Sequence, residues 1–211
     1  MASICFGTDF DNTIISYDHI FPVSARRMGI EIPNALTTKT ALRDYLRSRP
    51  GGEMSWQKLQ ADVYGPRIDE AALQDGFISF AQRCGEQDIS IVVISHKTQF
   101  AAQNPEVDLR AGALAWMEQQ NFFQDDQHGL SLTRVFFEDT RSDKINRIRQ
   151  MGCTHFIDDM TEVLSDECFP KEVVRILLTD DVPDRHPEGM ISCVSWREVE
   201  DFIFNEELSK S

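Results

Sequence analysis

The stretch FGTDFDNTII, residues 6 to 15, places two carboxylates, Asp9 and Asp11, at the end of an apolar segment and follows them with Asn and Thr. One interpretation is that a strand ends here and an Asp-Asn turn begins. The alternative is that the two carboxylates form a reactive pair, because loops that follow buried strands often carry the functional groups of a protein. The partners of these residues elsewhere in the chain decide between the two.

The composition describes an acidic globular protein. The chain has 211 residues, which is enough for one sizeable core with a small appendage. Hydrophobic residues make up 41% and charged residues 27% of the chain, as in an ordinary globular domain. The formal net charge of -14 disfavours nucleic acid or an anionic membrane surface as a partner. A small anion can bind only where a cation or a metal reverses the field locally.

Two further features concern the cellular compartment. Five cysteines are odd in number, scattered and never spaced as CxxC, which argues against a disulfide framework and against a structural zinc site. The segment MASICFGTDF lacks a basic stretch followed by a long apolar one, and no run in the chain approaches about 18 apolar residues. We therefore expect a cytoplasmic protein with no membrane span.

Short apolar segments bounded by turn-forming residues recur along the chain and are typical of buried parallel strands. They are SICFGTDF from residue 3, ISIVVISH at 89–96, TRVFFED from 133, THFIDD from 154, VVRILLTDD from 173 and MISCVSW from 190. Helical patterns lie between them at 109–120, 142–151 and 196–208. This alternation predicts βαβ units, and hence an α/β core with a mostly parallel sheet and helices on both faces.

The connection between the first two predicted strands is too long for a single crossover helix. It contains three helical patterns: one capped by Thr37 or Thr38 and running to about Arg47, one capped by Ser55 and running to about Tyr64, and one beginning at Asp69. We expect residues 13–88 to form a small helical cap, with the last helix, about 69–86, returning to a core built from residues 1–12 and 89–211.

Polar side chains stand where the predicted strands end, and ligands bind at that edge of a parallel sheet. The first strand contributes Asp9 and Asp11, the second Ser95, and the fourth Asp158 and Asp159, while Lys144 opens the helix after the third. Several carboxylates so close together cannot all ionise without a compensating cation. Carboxylate oxygens favour a hard cation, and we expect Mg²⁺.

The order of these motifs resembles that of the haloacid dehalogenase (HAD) superfamily of phosphohydrolases. The matching motifs are DxDxT at Asp9, Asp11 and Thr13, the strand-end Ser95, the helix-start Lys144, and the pair Asp158 and Asp159. The resemblance covers residues 3 to about 180. It implies a three-layer, Rossmann-like α/β core with a helical cap inserted after the first motif. The dehalogenase branch of the superfamily lacks the second Asp of that motif, so the presence of Asp11 favours a phosphorylated substrate.

The resemblance also implies roles for the acidic residues. Asp9 would attack the substrate phosphorus and form an aspartyl-phosphate. Asp11 would protonate the leaving oxygen and then activate water. Mg²⁺ would bind Asp9, the backbone carbonyl of Asp11, and Asp158 or Asp159. One of the last two carboxylates can be a ligand while the other supports it or caps the next segment, and the sequence does not choose.

The other two motif residues would act on the phosphoryl group. By the same resemblance, Ser95 would donate a hydrogen bond to a phosphoryl oxygen and Lys144 would neutralise charge there. Ser95 as an ordinary strand-end hydroxyl is the alternative. For Lys144 the alternative is a solvated side chain in a helix capped by Ser142. A Lys in the first turn opposes the helix dipole, so we expect it to have another partner.

Several residues outside the core of these motifs are candidate substrate contacts. They are Thr13 in the first motif, His96, Lys97 and Thr98 in the long loop after the second strand, and Arg43 and Arg47 in the insertion. Arg43 and Arg47 share one helix face at i, i+4. The alternative for His96, Lys97 and Thr98 is a polar loop without a function. The alternative for Arg43 and Arg47 is a solvated helix face.

The sequence predicts a Mg²⁺-dependent phosphatase that acts on a small phosphorylated substrate. The alternatives with the same chemistry are a nucleotidase and a sugar-phosphate phosphatase of polysaccharide synthesis. An alternative of another class is a HAD-fold binding or regulatory protein without turnover, which the intact carboxylate set disfavours because unused carboxylates only repel one another. A response-regulator receiver is disfavoured because Lys144 precedes the Asp158–Asp159 pair and a large insertion follows the first strand.

Overall fold

The computed structural model describes residues 4–123, 134–179 and 189–207. Its strands are β1 Cys5–Thr8, β2 Ile15–Ser16, β3 Ala72–Leu73, β4 Ser90–His96, β5 Phe100–Ala101, β6 Asn104–Asp108, β7 Val135–Glu138, β8 His155–Asp158, β9 Val174–Leu178 and β10 Ile191–Cys193. Its α-helices are α1 Ile20–Arg27, α2 Lys39–Arg47, α3 Gly52–Tyr64, α4 Phe77–Glu86, α5 Leu109–Gln119, α6 Arg141–Gln150, α7 Thr161–Leu164 and α8 Trp196–Asp201. A 3₁₀ turn at Ile68–Glu70 and a π-helical segment at Phe202–Glu207 complete the regular structure of the described residues.

The chain divides into two compact units. The first contains the described parts of 1–14, 73–96 and 121–211, and the second contains 15–72 and 97–120. The sequence analysis placed residues 97–120 in the α/β core, which differs from this division. They belong to the second unit because β5, β6 and α5 pack among themselves and against α3 and the 3₁₀ turn.

The first unit is built on a six-stranded sheet in the order β10-β9-β8-β1-β4-β7. Neighbouring strands are parallel throughout, which confirms the predicted α/β class. β1 lies in the middle, with Thr8 paired to Val93 of β4 on one side and to Ile157 of β8 on the other. The chain leaves β1 toward β4 and later returns to β8, so the ends of β1 and β8 flank the position where such sheets bind ligands.

Helices cover both faces of this sheet, as the apolar character of its strands requires. On one face, Cys5 of β1 lies in a buried cluster with Ile148 of α6 and Phe156 of β8. On the other face, the ring centroid of Phe6 lies 5.5 Å from that of Phe80 in α4. Because successive residues of β1 point to opposite faces, this one strand contributes to both halves of a three-layer core.

The second unit combines α1, α2, α3 and α5 with the antiparallel hairpin of β5 and β6. Aromatic rings fill much of its interior. Phe21 stacks on Trp56 with ring centroids 5.0 Å apart, and Tyr64 packs edge-on against both Phe21 and Tyr17. Such rings bury large apolar areas and prefer these offset and edge-on geometries.

Helix α2 begins as predicted, because the Thr38 hydroxyl accepts a hydrogen bond from the Ala41 amide at 3.3 Å. The predicted cap at Ser55 is wrong. The cap is Gly51, four residues earlier, which adopts the left-handed conformation with φ 70°, and helix α3 begins at Gly52. A β-carbon at Gly52 would lie 1.6 Å from the carbonyl oxygen of Leu46, so the paired glycines start this helix rather than merely ending the previous one.

The helix predicted to begin at Asp69 is also interrupted. The structure has the 3₁₀ turn there, and α4 begins only at Phe77, after Gly76 in the left-handed conformation with φ 89°. Helix α4 belongs to the first unit. Glycine again sets the boundary, because it adopts positive φ without the steric penalty of a β-carbon.

The elements that were not predicted include α1, the pair of β2 and β3, α7 and the hairpin of β5 and β6. Helix α1 has no side-chain cap, so the usual start signal is missing. The described residues do not include the first residue of the strand predicted from 133, the last two residues, 180–181, of the strand predicted from 173, or the last residue of the helix predicted at 196–208. All five cysteines are free thiols, and none of the described helices has the length and apolar character needed to cross a membrane.

We expect the substitution Gly7→Ala to lower the free energy of unfolding by about 1–3 kcal/mol through overpacking. The added β-carbon would meet Phe156 Cδ2 at 2.5 Å and Cys153 Sγ at 2.8 Å. Urea denaturation measures the change. In the control Gly112→Ala the nearest atom is 3.6 Å away, so a gain of about 0.5–1 kcal/mol is expected in the helix interior. Unchanged stability of Gly7→Ala would contradict the packing described for β1.

Candidate functional site

Two carboxylates stand side by side at the ends of neighbouring parallel strands. Asp158 is the last residue of β8, and Asp9 directly follows β1. The amide of Asp9 donates to the carbonyl of Ile157 at 2.9 Å, so the strand ladder extends to the first carboxylate. Asp9 is 5% exposed and Asp158 is fully buried. Buried charges of this kind require partners.

The partner is supplied by the first turn of α6. The Thr140 hydroxyl accepts from the Asp143 amide at 3.1 Å and donates to the Asp143 carboxylate at 2.6 Å, which starts the helix. The alternative of a helix capped by Ser142 with a solvated Lys144 is therefore wrong, because Thr140 is the cap, two positions earlier. Lys144 nevertheless lies in the first turn and is 2% exposed.

Lys144 joins the two carboxylates. Its Nζ donates to Asp9 Oδ1 at 2.6 Å and to Asp158 Oδ2 at 2.7 Å. Burial alone would lower the pKa of Lys144, but the charges of Asp158 and Asp9 raise that pKa above its usual range. The side chain is thus a cation held at a fixed position, and it has the partner that its unfavourable place in the helix dipole led us to expect.

One ammonium does not balance the negative charge around it. Burial raises the pKa of Asp158 to about 7, an effect that Lys144 opposes and that Asp9 and Asp159 reinforce. The second oxygen of Asp158, Oδ1, accepts from the Met160 amide at 2.9 Å. Both oxygens of this fully buried carboxylate are therefore anchored, and the site keeps an excess of negative charge.

Asp159 completes a cluster of three acidic residues. It is half-buried, and its Oδ2 accepts from Asn12 Nδ2 at 3.0 Å. Oxygen atoms of Asp9, Asp158 and Asp159 lie within 4.8 Å of one another. An all-oxygen set of anionic donors fits a hard divalent cation such as Mg²⁺ and does not suit a soft metal. The structure therefore gathers three of the four predicted metal ligands, including both members of the DD pair.

Asp11 lies just beyond β1, and Ser95 lies on β4, the neighbour of β1 on the side opposite to β8. Asp11 is half-buried, two residues after Asp9. Ser95 is 1% exposed, near the end of β4, which pairs with β1. Their positions agree with the sequence analysis, and their roles in proton transfer and phosphate binding stay predictions.

Thr13 and His96 are also in the first unit. Thr13 is fully buried, its hydroxyl has no hydrogen-bond partner among the described residues, and its carbonyl accepts from Trp196 Nε1 at 2.7 Å. His96 is exposed, and its Nε2 donates to the Asp139 carbonyl at 3.0 Å. Substrate contact by either residue stays a prediction.

The remaining candidates belong to the second unit. Lys97 is buried, with Nζ 4.9 Å from the centroid of the Tyr64 ring. Arg43 pairs with Asp44 at 2.8 Å, and Arg47 with Glu53 at 2.7 Å, on the surface of that unit. Thr98 donates to the carbonyl of Phe100 at 3.1 Å. The paired arginines have the contacts of a solvated helix face, and a role in substrate binding stays a prediction.

The sequence analysis missed two groups that hold the cluster. One is the side chain of Asn12, whose position directly after Asp11 was the available signal, since Asn frequently adopts turn conformations and bonds locally. The other is the main-chain amide of Met160. A backbone group leaves no trace in the residue type, so no sequence signal identifies it.

Comparison with solved structures identifies proteins of the same fold. The chain is similar to a HAD-superfamily hydrolase from Ehrlichia chaffeensis, with 14% identity and a TM-score of 0.55 over 96% of this chain and 97% of that chain. A HAD-hydrolase from Bacillus subtilis, solved bound to magnesium, has 12% identity and a TM-score of 0.57 over 97% and 100% of the two chains. A HAD family hydrolase from Deinococcus radiodurans, solved with bound phosphate and sodium, has 9% identity and a TM-score of 0.53 over 94% of each chain.

No protein-family model matches the chain, and no curated protein matches it. The TM-scores of 0.53 to 0.57 establish a shared fold, and at identities of 9% to 14% the likeness shows the fold alone. The chain has the fold of the HAD-superfamily hydrolases, as the order of its motifs predicted.

We expect Lys144→Met to lower the free energy of unfolding by about 3–5 kcal/mol in the presence of a chelator, because two buried carboxylates lose their shared cation. Adding Asp158→Asn to this variant restores part of the loss, since one of those charges is then absent. Urea denaturation measures both. The exposed Lys58→Met is the control, with a change within about 0.5 kcal/mol. Equal stability of the Lys144 and Lys58 variants would contradict the bridging role.

Proposed function

We propose that this chain is a Mg²⁺-dependent phosphatase that hydrolyses a small phosphomonoester through an aspartyl-phosphate on Asp9. The observation that carries the proposal is the buried Lys144, which lies within hydrogen-bond distance of Asp9 and Asp158 beside a third carboxylate. In a chain with a formal net charge of -14, a fixed cation and a cation-binding carboxylate set are what an anionic substrate requires.

Asp9 is the nucleophile in this proposal. Lys144 holds its Oδ1 at 2.6 Å, which fixes the rotation of the carboxylate and leaves Oδ2 to attack. The bond from Oδ2 to phosphorus forms as the bond from phosphorus to the ester oxygen breaks. The backbone under Asp9 is also held, because its amide bonds to Ile157 and its carbonyl accepts from the Thr8 hydroxyl at 2.9 Å. A nucleophile placed this firmly needs little reorganisation to react.

Asp11 carries the proton in both half-reactions. As a carboxylic acid it protonates the departing alkoxide, and the substrate leaves as an alcohol. The resulting carboxylate then takes a proton from water, whose oxygen attacks the phosphorus and releases Asp9 and inorganic phosphate. The first step leaves Asp11 as a carboxylate and the second returns it to the acid form, so the cycle balances with water as the second substrate.

Three groups stabilise the phosphoryl oxygens. Lys144 supplies a positive charge, and Ser95 donates a hydrogen bond from its hydroxyl. Asp9, Asp158 and Asp159 would hold Mg²⁺, together with the backbone carbonyl of Asp11. When bound, the ion would supply a Lewis acid and offset the repulsion between phosphate and carboxylates. Two proteins of the same fold support this assignment, one solved with magnesium and the other with phosphate and sodium.

A panel of nucleotides, sugar phosphates and small organic phosphates, assayed for phosphate release with Mg²⁺, tests the reaction. We expect turnover by the wild-type chain and a fall of about 10⁴-fold or more in kcat for Asp9→Asn, because the amide cannot attack. The control is the exposed Asp69→Asn, which keeps activity. Undiminished turnover by Asp9→Asn would refute the proposal, and the preferred substrate separates a nucleotidase from a sugar-phosphate phosphatase.

Metal removal gives an independent test. Chelation is expected to abolish turnover and added Mg²⁺ to restore it, because three clustered carboxylates repel a phosphate when no cation is bound. With Mg²⁺ present, beryllofluoride is expected to bind at Asp9, and mass spectrometry or fluorine NMR detects it. A chain that neither hydrolyses any ester nor binds beryllofluoride would instead be the binding or regulatory protein.

A further inference from the structure

Asn12 lies between Asp11 and Thr13 of the first motif, in the turn that follows β1. Its φ is 60°, in the left-handed region that Asn tolerates better than most residues. Its carbonyl accepts from Gln74 Nε2 at 3.1 Å, and the next carbonyl, of Thr13, accepts from Trp196. The turn after β1 is therefore anchored by two other segments of the first unit, and the direction of the Asn12 side chain is fixed with it.

The side chain of Asn12 reaches the acidic cluster from a position 147 residues away. Its Nδ2 donates to Asp159 Oδ2 at 3.0 Å. Asp159 lies one residue beyond the end of β8. Asp158 is fixed by Lys144 and by the Met160 amide. The Asn12 amide orients Oδ2 of Asp159 in a similar way, through a side-chain donor on the neighbouring strand end.

The chemistry of this donor suits a cation site. Asp159 lies close to Asp9 and Asp158, and repulsion between like charges favours its rotation toward water. A hydrogen bond to a charged acceptor opposes that rotation. Because the amide is neutral, it holds the carboxylate without cancelling its charge. A second Lys in this position would compete with a metal ion for the same oxygen.

We propose that Asn12 is a positioning residue for divalent-cation binding, which holds Asp159 beside Asp9 and Asp158 and thereby raises the affinity of the cluster. The inference rests on the cation site of the proposed function. It adds a residue that carries no charge, transfers no proton and acts only through Asp159. Groups that orient metal ligands in this way commonly change metal affinity about 10- to 100-fold when removed.

The substitution Asn12→Gly isolates the amide, because Gly adopts the same positive φ without strain. The probe is Mn²⁺, whose free ion is quantified by electron paramagnetic resonance. We expect the dissociation constant for Mn²⁺ to rise by about 10- to 100-fold. Asn121→Gly is the matched control, since Asn121 is exposed and also has a φ of 60°. Its affinity for Mn²⁺ is expected to equal that of the wild-type chain.

A double-mutant cycle separates the hydrogen bond from a general effect on folding. In an Asp159→Ala background, Asn12→Gly is expected to cause no further loss of Mn²⁺ affinity, because the acceptor is already absent. Urea denaturation in chelator checks that each variant is folded. Wild-type affinity in Asn12→Gly, a further loss in the Asp159→Ala background, or an absence of Mn²⁺ binding by the wild-type chain would each overturn the inference.

Turnover provides a second readout. The Mg²⁺ concentration for half-maximal activity is expected to rise in Asn12→Gly in proportion to the Mn²⁺ constant, while kcat at saturating Mg²⁺ is retained. Loss of kcat with unchanged metal affinity would overturn the positioning role. Mn²⁺ binding is measured without substrate, so the two proposals can fail separately. If Mn²⁺ affinity depends on Asn12 as expected but the chain hydrolyses no ester, the proposed function is refuted and the inference about Asn12 stands.

Discussion

The contact of one buried ammonium with two buried carboxylates is the interaction on which the site depends. Lys144 ties together the end of β1, the end of β8 and the start of α6 through hydrogen bonds of 2.6 Å and 2.7 Å. Burying three charges requires their desolvation, and well-packed apolar side chains would often stabilise a fold equally well or better. The arrangement is thus better explained by the fixed position that it gives to charged groups at the strand ends than by its contribution to stability. Its position between adjacent parallel strands is the position where α/β proteins place their chemistry.

The charge that Lys144 leaves unbalanced connects the fold to the proposed reaction. Asp159 joins the two carboxylates that Lys144 contacts in one acidic cluster, and burial with neighbouring negative charge raises the pKa of Asp158 to about 7. In the proposed function, a divalent cation would offset this excess and allow an anionic substrate to bind. The neutral amide of Asn12 is compatible with this cation site, because it orients the carboxylate of Asp159 without neutralising its negative charge.

The two units differ in how they use polar residues. In the first, charged side chains are buried at the ends of the central strands. In the second, Arg43 and Arg47, which the sequence offered as candidate substrate contacts, are paired with Asp44 and Glu53 near the surface. Aromatic rings pack in its interior. Solvent-exposed pairs of this kind contribute about 0–1 kcal/mol to stability. The buried carboxylates and the ammonium of the candidate site therefore all lie in the first unit.

The sequence by itself determined the α/β class, the six strands of the main sheet and the residue types at their ends. Apolar runs, turn residues and motif order are local properties, and short-range sterics convert them directly into strands and turns. Tertiary structure decided which of these residues touch. Strand order and packing bring Lys144 to Asp9 and Asp158, and they bring Asn12 to Asp159, which is 147 positions away in the chain. They also place residues 97–120 in the second unit. The same holds for Gly51 and Gly76, where positive φ moved a helix start that local pattern had placed elsewhere. Long-range contacts depend on how elements are arranged in space, and no local stretch of residues encodes that arrangement.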